Sequence, residues 1–167
     1  MSAPLSGRTV LVIGRGSGIA RAVTLALHSA GAEVVVAGRN PAELAAAYDM
    51  PGIAAERIDL TDEDSVAALA ERLGRVDHVV STASARARGT VGTLDPEVVL
   101  TSFNVKVVGP LLLAEHFAPR MPADGSFVLF SGSSARKPAV GPQTGGRPAN
   151  RRSACSPSAP PTPRSTC

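Results

Sequence analysis

The chain has 167 residues, with 17 Lys and Arg against 14 Asp and Glu, a formal net charge of +3 and 44% hydrophobic residues. This length and apolar fraction are typical of one globular domain, and two cysteines exclude a disulfide-rich scaffold. No apolar run approaches the roughly 20 residues of a membrane-spanning helix, and no signal peptide is recognisable, so we expect a cytoplasmic protein without a membrane partner.

Residues 1–140 alternate between short β-branched runs and helical apolar spacing. Strands are predicted at residues 8–13, 33–37, 56–60, 76–81 and 126–130. Helices are predicted at residues 19–30, 41–48, 62–73 and 96–119, with Thr61 capping the third and Pro110 kinking or breaking the fourth. This alternation predicts an α/β fold of Rossmann type, a doubly wound parallel sheet that is incomplete after the fifth strand.

A glycine-rich turn joins the first predicted strand to the first predicted helix. It reads Ile13-Gly14-Arg15-Gly16-Ser17-Gly18-Ile19-Ala20. Glycines let the backbone turn sharply and approach a pyrophosphate, which the N–H groups at the helix N-terminus bind. The absence of a following Gly-Lys-Ser/Thr disfavours a nucleoside triphosphatase loop. The turn therefore predicts a dinucleotide site at Gly14, Arg15, Gly16, Ser17, Gly18 and Ile19, with a tight turn that binds no ligand as the alternative.

The end of the second predicted strand indicates which dinucleotide is bound. An acidic residue there would bind the adenosine ribose hydroxyls of NAD, but the sequence has Arg39 and no acid. Arg39, together with Arg15, is suited to a ribose 2′-phosphate. The sequence therefore predicts NADP(H), unless Arg39 is an ordinary solvated loop residue.

These motifs, in this order, resemble the short-chain dehydrogenase/reductase (SDR) family over roughly residues 5–140. The family's Thr-Gly-x-x-x-Gly-x-Gly turn corresponds to residues 13–20, with its first and last positions changed. Its Asp-Leu or Asp-Val pair near the adenine matches Asp59-Leu60. Its Asn-Asn-Ala-Gly aligns with Ser81-Thr82-Ala83-Ser84, which retains only the alanine. The resemblance implies that Asp59, Leu60, Ser81 and Ala83 contact the cofactor.

The catalytic half of the family pattern is only partly present. In SDR enzymes a tyrosine is the general acid/base, a lysine four residues on lowers its pKa, and a serine after the fifth strand holds the substrate oxygen. The resemblance makes Asn104 the helix asparagine that supports the proton relay. Gly132 stands at the usual serine position, which leaves Ser131 or Ser133 as substitutes, and each is equally compatible with an ordinary turn residue. No Tyr-x-x-x-Lys occurs in the sequence, and the only tyrosine, Tyr48, is expected to be a packing residue.

The resemblance implies an NADP(H)-dependent oxidoreductase that acts on a small carbonyl or alcohol compound and forms homo-oligomers. The missing tyrosine and lysine leave two alternatives open, a non-catalytic dinucleotide-binding protein and a non-functional fragment. The three histidines lack the spacing of metal ligands, so no metal site is predicted.

The last 27 residues, 141–167, differ from the rest. They contain six of the 14 prolines, both cysteines, four arginines, no acid and no Leu, Ile, Val, Met or Phe. We expect this tail to be disordered because it has nothing apolar to bury. Subtracting its four arginines leaves 13 basic and 14 acidic residues in 1–140, so the net basicity belongs to the tail. Four arginines without lysines or aromatics make a poor nucleic-acid arm, and no nucleic-acid partner is expected.

The composition of the tail also suggests its origin. SDR domains continue beyond the fifth strand with two more strands and the helix that carries the tyrosine and lysine. A segment rich in Arg, Pro, Ser, Ala and Gly is what another reading frame of GC-rich DNA would encode. The hypothesis is that a frameshift replaced the catalytic half of the domain, and the DNA downstream of the Val140 codon would test it.

Overall fold

Five parallel strands form the centre of the structure, a computed structural model that describes residues 3–87, 89 and 91–132. The strands are β1 (Thr9–Ile13), β2 (Glu33–Gly38), β3 (Ile53–Arg57), β4 (His78–Ser81) and β5 (Ser126–Leu129). Their order in the sheet is β3-β2-β1-β4-β5, and every neighbouring pair is parallel. The predicted α/β fold of Rossmann type is confirmed. The predicted tail, residues 141–167, lies outside the described residues, and the division of the chain at residue 140 stays a prediction.

The connections between the strands contain the helices. These are α1 (Gly18–Ser29), α2 (Pro41–Ala47), α3 (Glu63–Leu73), α4 (Pro96–Phe103) and α5 (Gly109–Phe117). A π-helical segment, Asn104–Val108, joins α4 to α5, and single 3-10 turns lie at Val91–Thr93 and Ala118–Arg120. Crossovers between parallel strands of one sheet are right-handed in nearly all proteins, and here the helices pack on both faces of the sheet.

Two apolar cores lie on opposite faces of the sheet, because successive strand residues point to opposite sides. Leu11 and Ile13 of β1 face a core that contains Leu113 and Phe117 of α5. Val10 and Val12 face the other core, which contains Leu44 of α2. All four β1 side chains are almost completely buried. β1 is therefore the central strand on which both layers of helices pack.

The third strand begins and ends earlier than residues 56–60, the predicted range, which was therefore wrong in position. β3 pairs with β2 from Val34 opposite Ile53 to Gly38 opposite Arg57, so the pairing stops where β2 stops. Ile58 and Leu60 lie beyond the strand but are buried in the core. Their apolar pattern came from burial in a loop rather than from strand pairing.

Two details of the predicted helices were also wrong. Asp62 rather than Thr61 caps α3, with its carboxylate accepting a hydrogen bond from the Ser65 N–H. The predicted break at Pro110 is wrong, because the helical stretch from Pro96 to Arg120 is continuous, whereas the predicted kink there stays a prediction. Pro110 lies near the start of α5, directly after the π-helical segment. A proline is tolerated there because it lacks a backbone N–H, and the change in hydrogen-bond pattern at this point makes that N–H dispensable.

The helical stretch from Pro96 to Arg120 is, by length and composition alone, able to cross a membrane. The expectation that no apolar run approaches the length of a membrane-spanning helix is therefore wrong for this stretch. Leu113 and Phe117 of the same stretch are completely buried in the core, but only 11% of its most apolar window is buried. The absence of a membrane partner stays a prediction.

At the amino-terminal edge of the sheet, the carboxylate of Asp77 connects several segments. It accepts hydrogen bonds from the Thr9 N–H at 2.9 Å, Arg8 Nη1 at 2.8 Å and Arg75 Nη2 at 3.2 Å, and its side chain is only 5% exposed. The Thr9 N–H and the two arginines lower the pKa of Asp77 from 3.8 to about 2. The ionised carboxylate therefore stabilises the junction between β1 and β4.

We expect Asp77→Asn to lower the free energy of unfolding at pH 6 by about 2 kcal/mol, because a pKa depressed by nearly two units corresponds to that much stabilisation. The folded-state pKa is below the unfolded value, so this contribution is complete above about pH 4 and is lost as the pH falls towards 2. Urea unfolding of both proteins across this range measures the effect.

The matched control is Asp124→Asn, which removes the other carboxylate that binds Arg8. Asp124 is 62% exposed, so the control should lose much less stability. Equal losses in the two variants, or an Asp77→Asn loss that persists at pH 2, would contradict the role given to Asp77.

Candidate functional site

Most of the predicted site residues that the structure describes lie at the carboxyl-terminal edge of the sheet. All five strands are parallel, so the segments that follow them lie along one edge. Chain order reverses between β1 and β4, since β2 and β3 lie on one side of β1 and β4 and β5 on the other. Ligands of open α/β sheets bind in the crevice at this reversal.

The glycine-rich turn begins where three segments of the chain, at Gly14, Ala20 and Thr82, lie very close together. The Thr82 N–H and hydroxyl both donate to the Ile13 carbonyl, at 2.8 and 3.1 Å. A Cβ on Gly14 would lie 2.2 Å from Thr82 Oγ1 and 2.9 Å from Ala20 Cβ. Only glycine fits at position 14 without a shift of its neighbours. Thr82, which sequence reasoning did not single out, holds the turn against the end of β4.

The turn leads into an α1 N-terminus that has free backbone donors. Ser17 is the N-cap in extended conformation, its side chain makes no capping hydrogen bond, and the first turn of α1 contains no acidic residue. Gly18 has φ +60°, which favours glycine, and Ile19 is 60% exposed. Within the residues that the structure describes, the Ser17 side chain therefore does not cap the first N–H groups of α1, and no acidic residue of the first turn neutralises the positive end of the helix. This arrangement suits a phosphate group.

Gly16 fixes the middle of the same turn. A Cβ at this position would lie 2.6 Å from Ala47 Cβ of α2 and 3.8 Å from the Tyr48 ring. Tyr48 is buried, as expected of a packing residue. Its hydroxyl has no hydrogen-bond partner within residues 3–87, 89 and 91–132.

Two exposed arginines lie on the loops that follow β1 and β2. Arg15 and Arg39 form no ion pair or side-chain hydrogen bond with the described part of the chain, so both are available to a ligand. Partial burial would raise the pKa of Asp59, but hydrogen bonds from Thr61 and the charges of Arg39 and Arg57 bring it below its ordinary value. Asp59 is therefore ionised near Arg39. This edge of the site combines exposed cations with one carboxylate.

Leu60, predicted to contact the cofactor beside Asp59, lies in the core. It is 5% exposed, and a Cβ on Gly109 would lie 2.9 Å from Leu60 Cβ. Its side chain packs beneath the start of α5. Any contact of Leu60 with a ligand would need its backbone.

A cavity of about 330 Å³ lies where β4 and β5 end. The ends of the two strands and the helix beside them line it, through Ser81, Ala83, Val105, Lys106, Pro110 and residues 129–132. The predicted residues Ser81, Ala83 and Ser131 therefore share one cavity. Asn104 does not line it, although it lies in the adjoining π-helical segment. Ser133 lies outside the described residues.

Lys106 is the second residue that sequence reasoning missed. Its Nζ donates to the Phe130 carbonyl at 2.8 Å, which connects the π-helical segment to the end of β5. The sequence signal was available, because Lys106 stands two positions after Asn104 in an apolar helix. Motif matching alone selected the asparagine.

One group of possible metal ligands lies away from the crevice, on α3 and α5. Atoms of Glu63, Glu115 and His116 lie within 4.8 Å of one another, and His116 Nε2 is 3.7 Å from Glu63 Oε1. Both glutamates are exposed. The spacing of the histidines in sequence gave no sign of this group, because its members come from two helices.

Comparisons with known proteins agree with this geometry. The family model for short chain dehydrogenases matches residues 8–142. L-xylulose reductase from Mesocricetus auratus is 32% identical over 127 residues, covering 75% of this chain and 52% of that protein. The structure of a short-chain type dehydrogenase/reductase from Mycobacterium ulcerans is 34% identical with a TM-score of 0.71, covering 78% of this chain and 53% of the other.

A further structure extends the likeness to a complex with a nucleotide. A short chain dehydrogenase from Escherichia coli CFT073, complexed with NADPH, is 25% identical with a TM-score of 0.73 and covers 83% of this chain and 64% of the other. The chain spans about half the length of the curated relatives it matches.

We expect Gly14→Ala to lower the free energy of unfolding by about 1–3 kcal/mol, because the new methyl group would overlap Thr82 and Ala20. In a Gly14→Ala/Thr82→Ala double variant the nearest overlap is removed. The losses should therefore be less than additive. Urea unfolding of the two single variants and the double variant measures the coupling.

Gly92→Ala is the control, because no atom of the described residues lies within 4 Å of its Cβ position and its φ is not positive. It should be nearly neutral. Strict additivity of the losses at positions 14 and 82 would show that the two residues are not in the close contact described.

Proposed function

The chain belongs to the short-chain dehydrogenase family, and from that premise we propose that it is an NADP(H)-dependent oxidoreductase that interconverts a carbonyl compound and an alcohol. The observation that carries the proposal is the uncapped N-terminus of α1 in the crevice between β1 and β4, with the exposed cations Arg15 and Arg39 on the adjoining loops. This donor set fits a pyrophosphate and a further phosphate.

The residues that would hold the cofactor follow the strand order. The first N–H groups of α1, at Gly18 and Ile19, would bind the pyrophosphate. Arg39, with Arg15, would bind the 2′-phosphate that distinguishes NADP(H) from NAD(H). Asp59, two residues after the end of β3, would contact the adenosine. The cofactor would exchange hydride with the substrate carbon when bound.

The cavity at the ends of β4 and β5 is the proposed substrate end of the crevice. Ser131 lines it and is exposed, so its hydroxyl is accessible to a substrate oxygen. We propose that Asn104 contributes through its backbone, by shaping the helix beside the cavity. Its carbonyl accepts the Gly109 N–H and so shapes the π-helical segment.

The sequence itself favours a second candidate, a protein that binds the dinucleotide without catalysis. No Tyr-x-x-x-Lys occurs in the 167 residues, so the family's usual proton donor is missing from this chain. The same crevice would then serve binding alone. Both candidates require NADP(H) to bind, and only the first requires turnover.

Homo-oligomer formation and a cytoplasmic location remain part of the proposal. Support for association comes from large apolar side chains that α4 and the next two turns leave exposed, namely Val98, Val99, Leu100, Phe103, Val107 and Leu111. Exposed apolar side chains that form a contiguous patch are typical of interaction surfaces.

We expect Arg39→Asp to weaken NADPH binding by about 10-fold or more, because it removes a charge-assisted bidentate contact to the 2′-phosphate. NADH lacks this phosphate, so its affinity should change much less. Isothermal titration of both cofactors measures the two dissociation constants.

Arg39→Lys is the matched control, because it keeps the charge and loses the guanidinium fork. It should fall between the wild type and Arg39→Asp for NADPH. Equal effects of Arg39→Asp on NADPH and NADH would remove the basis for the preference, and no binding of either cofactor would contradict the proposed function.

Turnover separates the enzyme from the binding protein. L-xylulose, the ketose in the name of the Mesocricetus auratus relative, is the first substrate to test. If the chain is an enzyme, it should oxidise NADPH only when a carbonyl compound is present. The absorbance of the reduced nicotinamide measures this oxidation. Tight NADPH binding without oxidation across a panel of ketones and aldehydes would favour the binding protein.

A further inference from the structure

Among the described residues that line the cavity at the ends of β4 and β5, only Lys106 has an ionisable side chain. It lies in the π-helical segment, where the Gly109 N–H bonds to the Asn104 carbonyl five residues back. The wider turn carries an extra residue relative to an α-helix, and such segments often present a functional side chain. The segment thereby presents Lys106 to the cavity.

The ammonium group of Lys106 is incompletely satisfied by the protein. Its Nζ is 2.8 Å from the Phe130 carbonyl, and no carboxylate lies within 4 Å of it in the part of the chain that the structure describes. An ammonium has three donors, so two remain for other acceptors.

The surroundings of Lys106 make its two unsatisfied hydrogen-bond donors energetically unfavourable. Burial, together with the charge of Arg86, lowers the pKa of Lys106 below its ordinary value. The cavity lining otherwise consists of apolar side chains, backbone and the hydroxyls of Ser81 and Ser131. A partly buried cation without a carboxylate is stabilised when an oxygen ligand accepts its remaining hydrogen bonds.

We propose that Lys106 binds the oxygen atom of a small carbonyl or alcohol substrate in this cavity, and so orients the substrate at the carboxyl-terminal ends of β4 and β5. This inference rests on the proposed function and assigns the substrate contact to a residue that the family pattern did not select. Ser131 lines the same cavity and supplies a second donor, whereas Asn104 lies outside it.

The test uses the full chain saturated with NADP⁺, so that a ketone binds without being reduced. L-xylulose is titrated calorimetrically into the wild type, Lys106→Met, Lys106→Arg and Arg72→Met. Lys106→Met keeps the length and loses the donor, and we expect its affinity for L-xylulose to fall by about 10-fold or more. Lys106→Arg keeps a cationic donor and should lose less. Arg72→Met, an exposed arginine on α3 paired with Glu56, should not change the affinity.

A labelling experiment on the wild type gives a second readout that does not depend on a variant folding. The chain contains two lysines, Lys106 and Lys137, so acetylation of Lys106 can be measured by mass spectrometry with Lys137 as the internal reference. We expect L-xylulose, added to the NADP⁺-loaded chain, to protect Lys106 several-fold relative to Lys137.

The outcomes separate the inference from the proposed function. NADP⁺ binding that is the same in wild type and Lys106→Met, with L-xylulose affinity lost only in the variant, supports Lys106 as the substrate contact. Unchanged L-xylulose affinity in Lys106→Met, absence of protection at Lys106, or no L-xylulose binding to the loaded wild type overturns the inference while the proposed function stands. Failure of the wild type to bind NADP⁺ overturns both.

Discussion

The pairing of β1 with both of its neighbours is the constraint on which the rest of the structure depends. β1 is parallel to β2 on one side and to β4 on the other, and its inner residues are buried on both faces. Two neighbouring strands and two cores contact β1, so a shift of one residue would change both pairings and would move Leu11 and Ile13 into the core that now contains Val10 and Val12. The register of β1 fixes where the Gly14 turn leaves the sheet. The start of α1, the Thr82 contact and the crevice all follow from this point.

The sequence predicted the fold because its strongest signals coincide with this constraint. The β-branched runs at residues 8–13 and 33–37 match β1 and β2 almost exactly, since buried parallel strands are continuously apolar. The edge strand β3 was misplaced because burial and strand pairing give the same apolar signal, and Ile58 and Leu60 are buried after the pairing has ended. Local chemistry could not choose between Thr61 and Asp62 as cap either, because both side chains are good caps.

The site was predicted less completely, for a different physical reason. The glycine turn and Arg39 are readable because their roles depend on position relative to strands, which the sequence shows. The cavity depends on the pitch of a helix. A π-helical segment changes which residues share a face, so a side chain two positions from the matched asparagine reaches the cavity instead. The Thr82 hydroxyl was missed because its importance lies in a contact with Gly14 that is 68 residues away in the chain. Neither the position of Lys106 in the cavity nor the contact of Thr82 with Gly14 produces a periodic pattern in the sequence.

The hydrogen-bonded carboxylate of Asp77 lies at the opposite end of the strands from every residue of the crevice. β1 and β4 each have Asp77 or its partners at their amino-terminal ends, and the glycine turn or Ser81 at their carboxyl-terminal ends. Asp77 is paired with Arg8 and Arg75, and β1, which is 5 residues long, separates it from the crevice by roughly 16 Å, so its charge has little effect there. Acid tolerance and ligand preference can therefore diverge separately in descendants of this sequence. A lineage adapting to a more acidic environment could alter the first without retuning the second.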